Sequence, residues 1–166
     1  KPTTATNVVW TVTNTGATAI TVNDGVEVKT LAKGATGTYT TQAAVNASTA
    51  TLKITSADAN KVEVSAAAQG VATPAELDLY FYDVLVDATA STYTGTVVAF
   101  DKTADWAILS TSVGNVVVPY VGIGTPAYTV DGNTATVDAF EKALTLGDSL
   151  KVTTDGANAV YDLTNK

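Results

Sequence analysis

The sequence predicts an all-β protein: a β-sandwich over residues 1–72, then a small β-barrel or sandwich module over residues 73–166 that carries one short helix. Three observations lead there. Apolar residues recur at every second position along most of the chain, which is the period of a half-buried strand. Turn signals rich in Gly, Asn and Asp interrupt these runs at intervals of roughly 8–12 residues, the spacing of short antiparallel strands. Only residues 137–144, within the stretch 128–152, change to a helical period.

In the first module, Val8, Trp10 and Val12 alternate with Val9, Thr11 and Thr13, giving a strand with a large aromatic anchor on one face. Asn14-Thr15-Gly16 turns the chain, and a second strand starts at Ala19. Asn23-Asp24-Gly25 predicts a hairpin, because these residues tolerate the positive φ that twisted hairpin turns require. Val26, Val28 and Thr30 continue the return strand, and Tyr39 marks the next one. Residues 43–48 fit a loop or one helical turn equally well. Residues 51–55 and 61–65 read as two uninterrupted strands with a turn at 56–60. Residues 66–74, small and ending in Pro74, read as the linker, since proline biases its neighbour toward extended backbone.

Residues 76–86 alternate Leu77, Leu79 and Phe81 against Asp78, Tyr80 and Tyr82, predicting one long strand able to belong to either module. Strands follow at 93–100, 106–111, 116–120 and 127–130, with Pro119 marking an edge or a strand end because it lacks an amide donor. Asp131-Gly132 predicts a tight turn. Asn133 or Thr136 is the expected helix cap, and Asp138 and Lys142 suit the two ends of the helix dipole. Val137, Phe140, Ala143 and Leu144 form one apolar face. A helix this short must dock to be stable, with Phe140 and Leu144 as its plugs. Gly147-Asp148 launches the last hairpin, which turns at Asp155-Gly156.

Composition excludes several functions. The 166 residues carry nine Lys, no Arg and sixteen acids, for a net charge of -7. No clustered basic face is available for nucleic acid, and no basic amphipathic surface or long apolar run for a membrane. The absence of Cys and His removes the usual zinc ligands and both Ser-His-Asp and Cys-His catalysis within the chain. The expectation is a non-enzyme. Beginning at Lys1-Pro2-Thr3-Thr4, the chain reads as an excised or mature segment.

Two resemblances refine this reading. Trp10-Thr-Val-Thr-Asn-Thr-Gly16, with Leu31-Ala-Lys-Gly34 and Gly37-Thr-Tyr39-Thr, resembles bacterial immunoglobulin-like repeats over about the first 40 residues. From Tyr93 to Leu163, the ordered landmarks Trp106, Tyr120, Tyr128, Asp131-Gly132, Phe140, Gly147-Asp148 and Tyr161 resemble small β-barrel-like modules of bacterial surface-layer (S-layer) proteins. The resemblance implies a secreted, structural, cell-surface module that self-associates in a two-dimensional lattice with neighbouring domains. It also implies calcium at junctions. No S-layer-homology wall-anchoring motif is visible, so contact with cell-wall glycan would fall outside this sequence.

Three carboxylate groupings supply the kind of oxygen ligands calcium takes: Asp83 with Asp87, Asp101 with Asp105, and Asp131 with Asn133. Asp101, Asp105, Asp131 and Asn133 are the expected metal residues. Against this, each grouping also reads as a solvated turn, and the Asp131 turn lacks the Gly and distal Glu spacing of an EF-hand. The alternative function is carbohydrate binding or adhesion, with Trp10, Trp106, Tyr80 and Tyr82 as stacking platforms; Trp on an alternating strand face is otherwise a core anchor.

Overall fold

The computed structural model describes residues 1–55, 62–68, 70–73 and 78–166. The fold is all-β, with one short helix among the described residues. The chain divides into two compact units, Lys1–Tyr82 and Asp83–Lys166.

That division falls ten residues beyond the expected 72/73 boundary. The stretch read as a linker is largely strand: Val62–Ala67 (β7) and Val71–Thr73 (β8) flank it. β8 pairs with Asp78–Tyr80 (β9), which also pairs with Thr49–Thr51 (β5), so the chain is still bonded into the first unit at Tyr80. The expected turn at 56–60, together with Pro74 and Leu77, lies outside the described residues.

In the first unit, Thr6–Asn14 (β1) lies between Thr36–Ala43 (β4) and β7, antiparallel to both. Ile20–Asn23 (β2) lies between Val28–Leu31 (β3) and Lys53–Thr55 (β6). The period-two pattern on β1 does what it predicts: Val8, Trp10 and Val12 are fully buried, joined by Ile20, Val22, Leu31, Tyr39, Leu52, Leu79 and Phe81. The Trp10 indole N–H, costly to bury unpaired, donates to Thr41 Oγ1 at 2.8 Å. The hairpin turn forms as expected, with Asn23 Oδ1 accepting from Gly25 N and Asp24 Oδ1 from Val26 N and Glu27 N. Val26 sits in that turn, 92% exposed, and not in the return strand. Residues 51–55 are not one strand. Leu52, 1% exposed, separates β5 from β6, and the two pair in different sheets. Alternation continues through Leu52 because both sheets face the same core.

The second unit is one eight-stranded sheet. Its strands are Val84–Leu85 (β10), Ser91–Asp101 (β11), Trp106–Thr111 (β12), Gly114–Pro119 (β13), Thr125–Val130 (β14), Asn133–Ala135 (β15), Ser149–Thr154 (β16) and Asn158–Thr164 (β17), ordered β10-β13-β12-β11-β16-β17-β14-β15. The β10–β13 and β14–β17 pairs are parallel. The long strand expected over 76–86 is instead β9 and β10, interrupted at residues 81–83. Pro119 ends its strand, as its missing amide requires. A register shift between Val97 and Ala99 interrupts the β11–β12 pairing. At β10, Asp83 Oδ2 accepts from Asn115 N at 3.0 Å, and a Cβ on Gly114 (φ +105°) would come within 2.0 Å of that oxygen, so only glycine fits there.

The helix, Val137–Ala143 (α1), is capped by Thr136, whose Oγ1 accepts from Ala139 N at 3.2 Å. Phe140 and Leu144 are fully buried. Phe140 packs among Tyr120 (centroids 5.4 Å, edge-on), Tyr128 (5.2 Å) and Tyr161 (6.2 Å). Tyr128 and Tyr161 stack at 5.3 Å and tie their hydroxyls to the carbonyls of Tyr120 and Pro119.

Candidate functional site

Among the expected metal residues, Asp105 has the richest surroundings. Asp101 ends β11, and its Oδ1 accepts from Thr103 N at 2.8 Å and Ala104 N at 3.1 Å, which closes the turn. Asp105 ends that turn in the left-handed region (φ 61°), and its carbonyl accepts from Tyr120 N at 2.9 Å. This backbone bond brings Asp105 close enough for its charge to act on the Tyr120 phenol.

The Tyr120 hydroxyl is fully buried and meets no geometric hydrogen-bond partner among the described residues. Glu141, next to Phe140 on α1, approaches closely enough to act on it electrostatically. Burial, then the negative charges of Glu141, Asp105 and Asp101, push the phenol far above its ordinary pKa and keep it protonated. Glu141 is itself pushed up, first by desolvation, then by the Asp105 carboxyl beside it and by Asp138. The arrangement is thus a buried phenol donor facing two adjoining carboxyls.

Calcium takes about six to eight oxygen ligands. Asp105 and Glu141 supply fewer, and one Asp101 oxygen is already bonded to the turn. Among the described residues, no group of three or more His, Cys, Asp or Glu side chains is arranged to hold a metal ion. Asp131 and Asn133 are occupied elsewhere. Asp131 (φ 50°) and Gly132 (φ 78°) form the hairpin turn, Asp131 Oδ1 accepts from Asn165 N at 2.9 Å, and Asn133 Nδ2 donates to the Asp131 carbonyl at 3.2 Å. Asp83 binds Asn115 as described, and Asp87 Oδ1 accepts from Thr89 N at 2.8 Å.

Two groups escaped sequence reasoning. Glu141 carries no local signal, because its partners lie far away in the chain. Asp148 was legible only as a corner, yet it is 1% exposed and accepts from Thr145 N, Thr145 Oγ1, Asn165 Nδ2 and Lys166 N. Burial would raise its carboxyl, but the bonds from Thr145, Lys166 and Asn165 outweigh burial and hold it below its ordinary range.

The aromatic platforms fare unevenly. Trp10 is a core residue, whereas Trp106, Tyr80 and Tyr82 are half-buried. The first unit has a groove of about 590 Å³ whose lining includes Asn7, Asn23, Asp24, Thr41, Gln42 and Lys53 and no aromatic residue. No described helix is long and apolar enough to cross a membrane. Comparison with known proteins gives no match: no family model fits the sequence, and no curated protein or solved structure is significantly similar.

Proposed function

We propose that the chain is a structural, non-catalytic module of a secreted bacterial cell-surface protein, working by self-association in an S-layer-type lattice. The observation that carries the reading is where the carboxylates are used. Asp24, Asp101, Asp131, Asp148 and Asp155 each accept backbone N–H bonds within turns or at a chain corner, which is scaffold work. The ordered landmarks from Tyr93 to Leu163 support it as well, since Tyr120, Tyr128, Phe140 and Tyr161 form one packed aromatic cluster. Calcium enters as the expected cofactor, and at Asp101 and Asp105 it would draw remaining ligands from water or a neighbouring copy.

Electron microscopy of the protein, with calcium and with chelator, tests the reading. Ordered two-dimensional arrays that dissolve on chelation are the expected result. A protein that stays dispersed and monomeric at high concentration with calcium present overturns it. Glycan binding would fall on half-buried Trp106, since Trp10 is committed to the core; array binding lost in Trp106→Ala would favour that role instead.

A further inference from the structure

A strand at the edge of a sheet leaves alternate N–H and C=O groups unpaired, so proteins blunt edges with charge, proline, bulges or brevity. Edge by edge, the described strands follow this rule with one exception. β3 carries Lys29, β6 carries Lys53 and β7 carries Glu63. β5, β8 and β15 are three residues long and β10 is two. β4 is the exception: eight residues, Thr-Gly-Thr-Tyr-Thr-Thr-Gln-Ala, with no charge and no proline. It pairs with β1 in unbroken register from Ala43 to Thr36, so no bulge twists it away, and β1 is its only sheet neighbour among the described strands.

The space beside this edge is open. Thr40, Thr41 and Gln42 form one wall of the 590 Å³ groove, and the 23–26 turn, with Val26 92% exposed, forms the other. Strands in a sheet lie about 4.8 Å apart, so a strand added to β4 would meet the groove at Thr40–Gln42.

We propose that β4 pairs antiparallel with β4 of a second copy of this chain, joining two three-stranded sheets into one. Charge selects this occupant. Each copy carries -7, so approach is least opposed at an uncharged strand such as β4, beside which the charged groove residues Asp24 and Lys53 are of opposite sign. A two-fold contact needs a surface complementary to itself, and an antiparallel strand edge is one. The exposed side chains Thr36, Thr38, Thr40 and Gln42 suit cross-strand hydrogen bonding, as Thr36 already shows by bonding Thr13 Oγ1 at 2.8 Å. The contact rests on the assembly reading for its purpose, though its geometry does not.

Sedimentation velocity over a wide concentration range, with hydrogen exchange of the intact chain, tests it. The expected result is a reversible dimer whose formation slows exchange at β4 and leaves β7 unchanged. The double variant Thr38→Lys/Thr40→Lys should raise the dissociation constant by about tenfold or more, through like charges facing across the pair. Thr30→Lys on the β3 edge should leave it unaltered. A monomer at every concentration, or a dimer indifferent to the β4 lysines, overturns the inference. Arrays that survive in the double variant would refute the β4 contact and leave the assembly proposal standing. A β4 dimer that forms no arrays would do the reverse.

Discussion

The two units hide similar amounts of apolar sequence in different ways. The first spreads its described strands over three three-stranded sheets, and its core gathers Trp10, Tyr39 and Phe81 among Val, Leu, Ile and Ala. The second draws its strands into a single eight-stranded sheet around four aromatic rings, of which Phe140 touches the other three, capped by a helix. Segmentation leaves the first unit's described strands with more edges and, outside β1, ladders of three or four pairs. Continuity gives the second unit fewer edges but commits it to parallel pairs between distant segments, which are slower to close. The difference teaches that one period-two pattern serves both solutions, and that the partners of each strand decide between them.

Phe140→Ala is the strongest way to break the comparison. Emptying the centre of the aromatic cluster should cost roughly 3–5 kcal/mol, confined to the second unit. Calorimetry should show that unit's transition fall while the first unit's holds. Trp10→Ala should cost a similar amount, roughly 3–5 kcal/mol, in the first unit alone. A single transition shifted equally by both changes would mean that the units unfold as one.

Asp148→Ala comes next. It strands the N–H groups of Thr145 and Lys166, for a loss of roughly 2–3 kcal/mol in denaturant titrations. Because the folded state holds this carboxyl below its ordinary value of 3.8, its contribution is present above that pH and is lost as pH falls through the folded value. The variant and parent should therefore converge in stability under strong acid.

Thr136→Ala removes the helix cap and should cost about 1 kcal/mol by thermal melting. The smallest effect has the opposite sign. Glu141 is raised from 4.5 in the folded state, so its favourable contribution exists below that pH and is lost as pH rises through the folded value. Glu141→Gln should thus raise the melting temperature near neutrality and lose that advantage in acid. A neutral-pH loss of stability would show that the Glu141 charge is compensated.

Features set by near neighbours in the chain were legible. Trp10 with its flanking valines, the Asn23-Asp24-Gly25 and Asp131-Gly132 turns, and the Thr136 cap with Phe140 each needed only a few adjacent residues. Sheet membership was not legible. Leu52 sits in an unbroken alternation yet divides two sheets, and β9 stops at Tyr80 although the pattern continues through Phe81. Periodicity reports which face is buried and is silent on which strand lies alongside. The same limit applies to the candidate site. Asp101 and Asp105 could be singled out as neighbours, but Tyr120 and Glu141 join them only through the fold.

The placement of β17 has a mechanical consequence. This strand lies between β16 and β14, antiparallel to one and parallel to the other, with Thr129 Oγ1 bonded to Asp162 across the parallel pair. A pull along the chain at Asn165 would load both ladders in shear, so many bonds must fail together. A pull across an edge such as β15 would peel them one at a time. Resistance to force would then depend on the direction of the load, a useful property in a protein held under tension, and single-molecule stretching along the two directions would measure it.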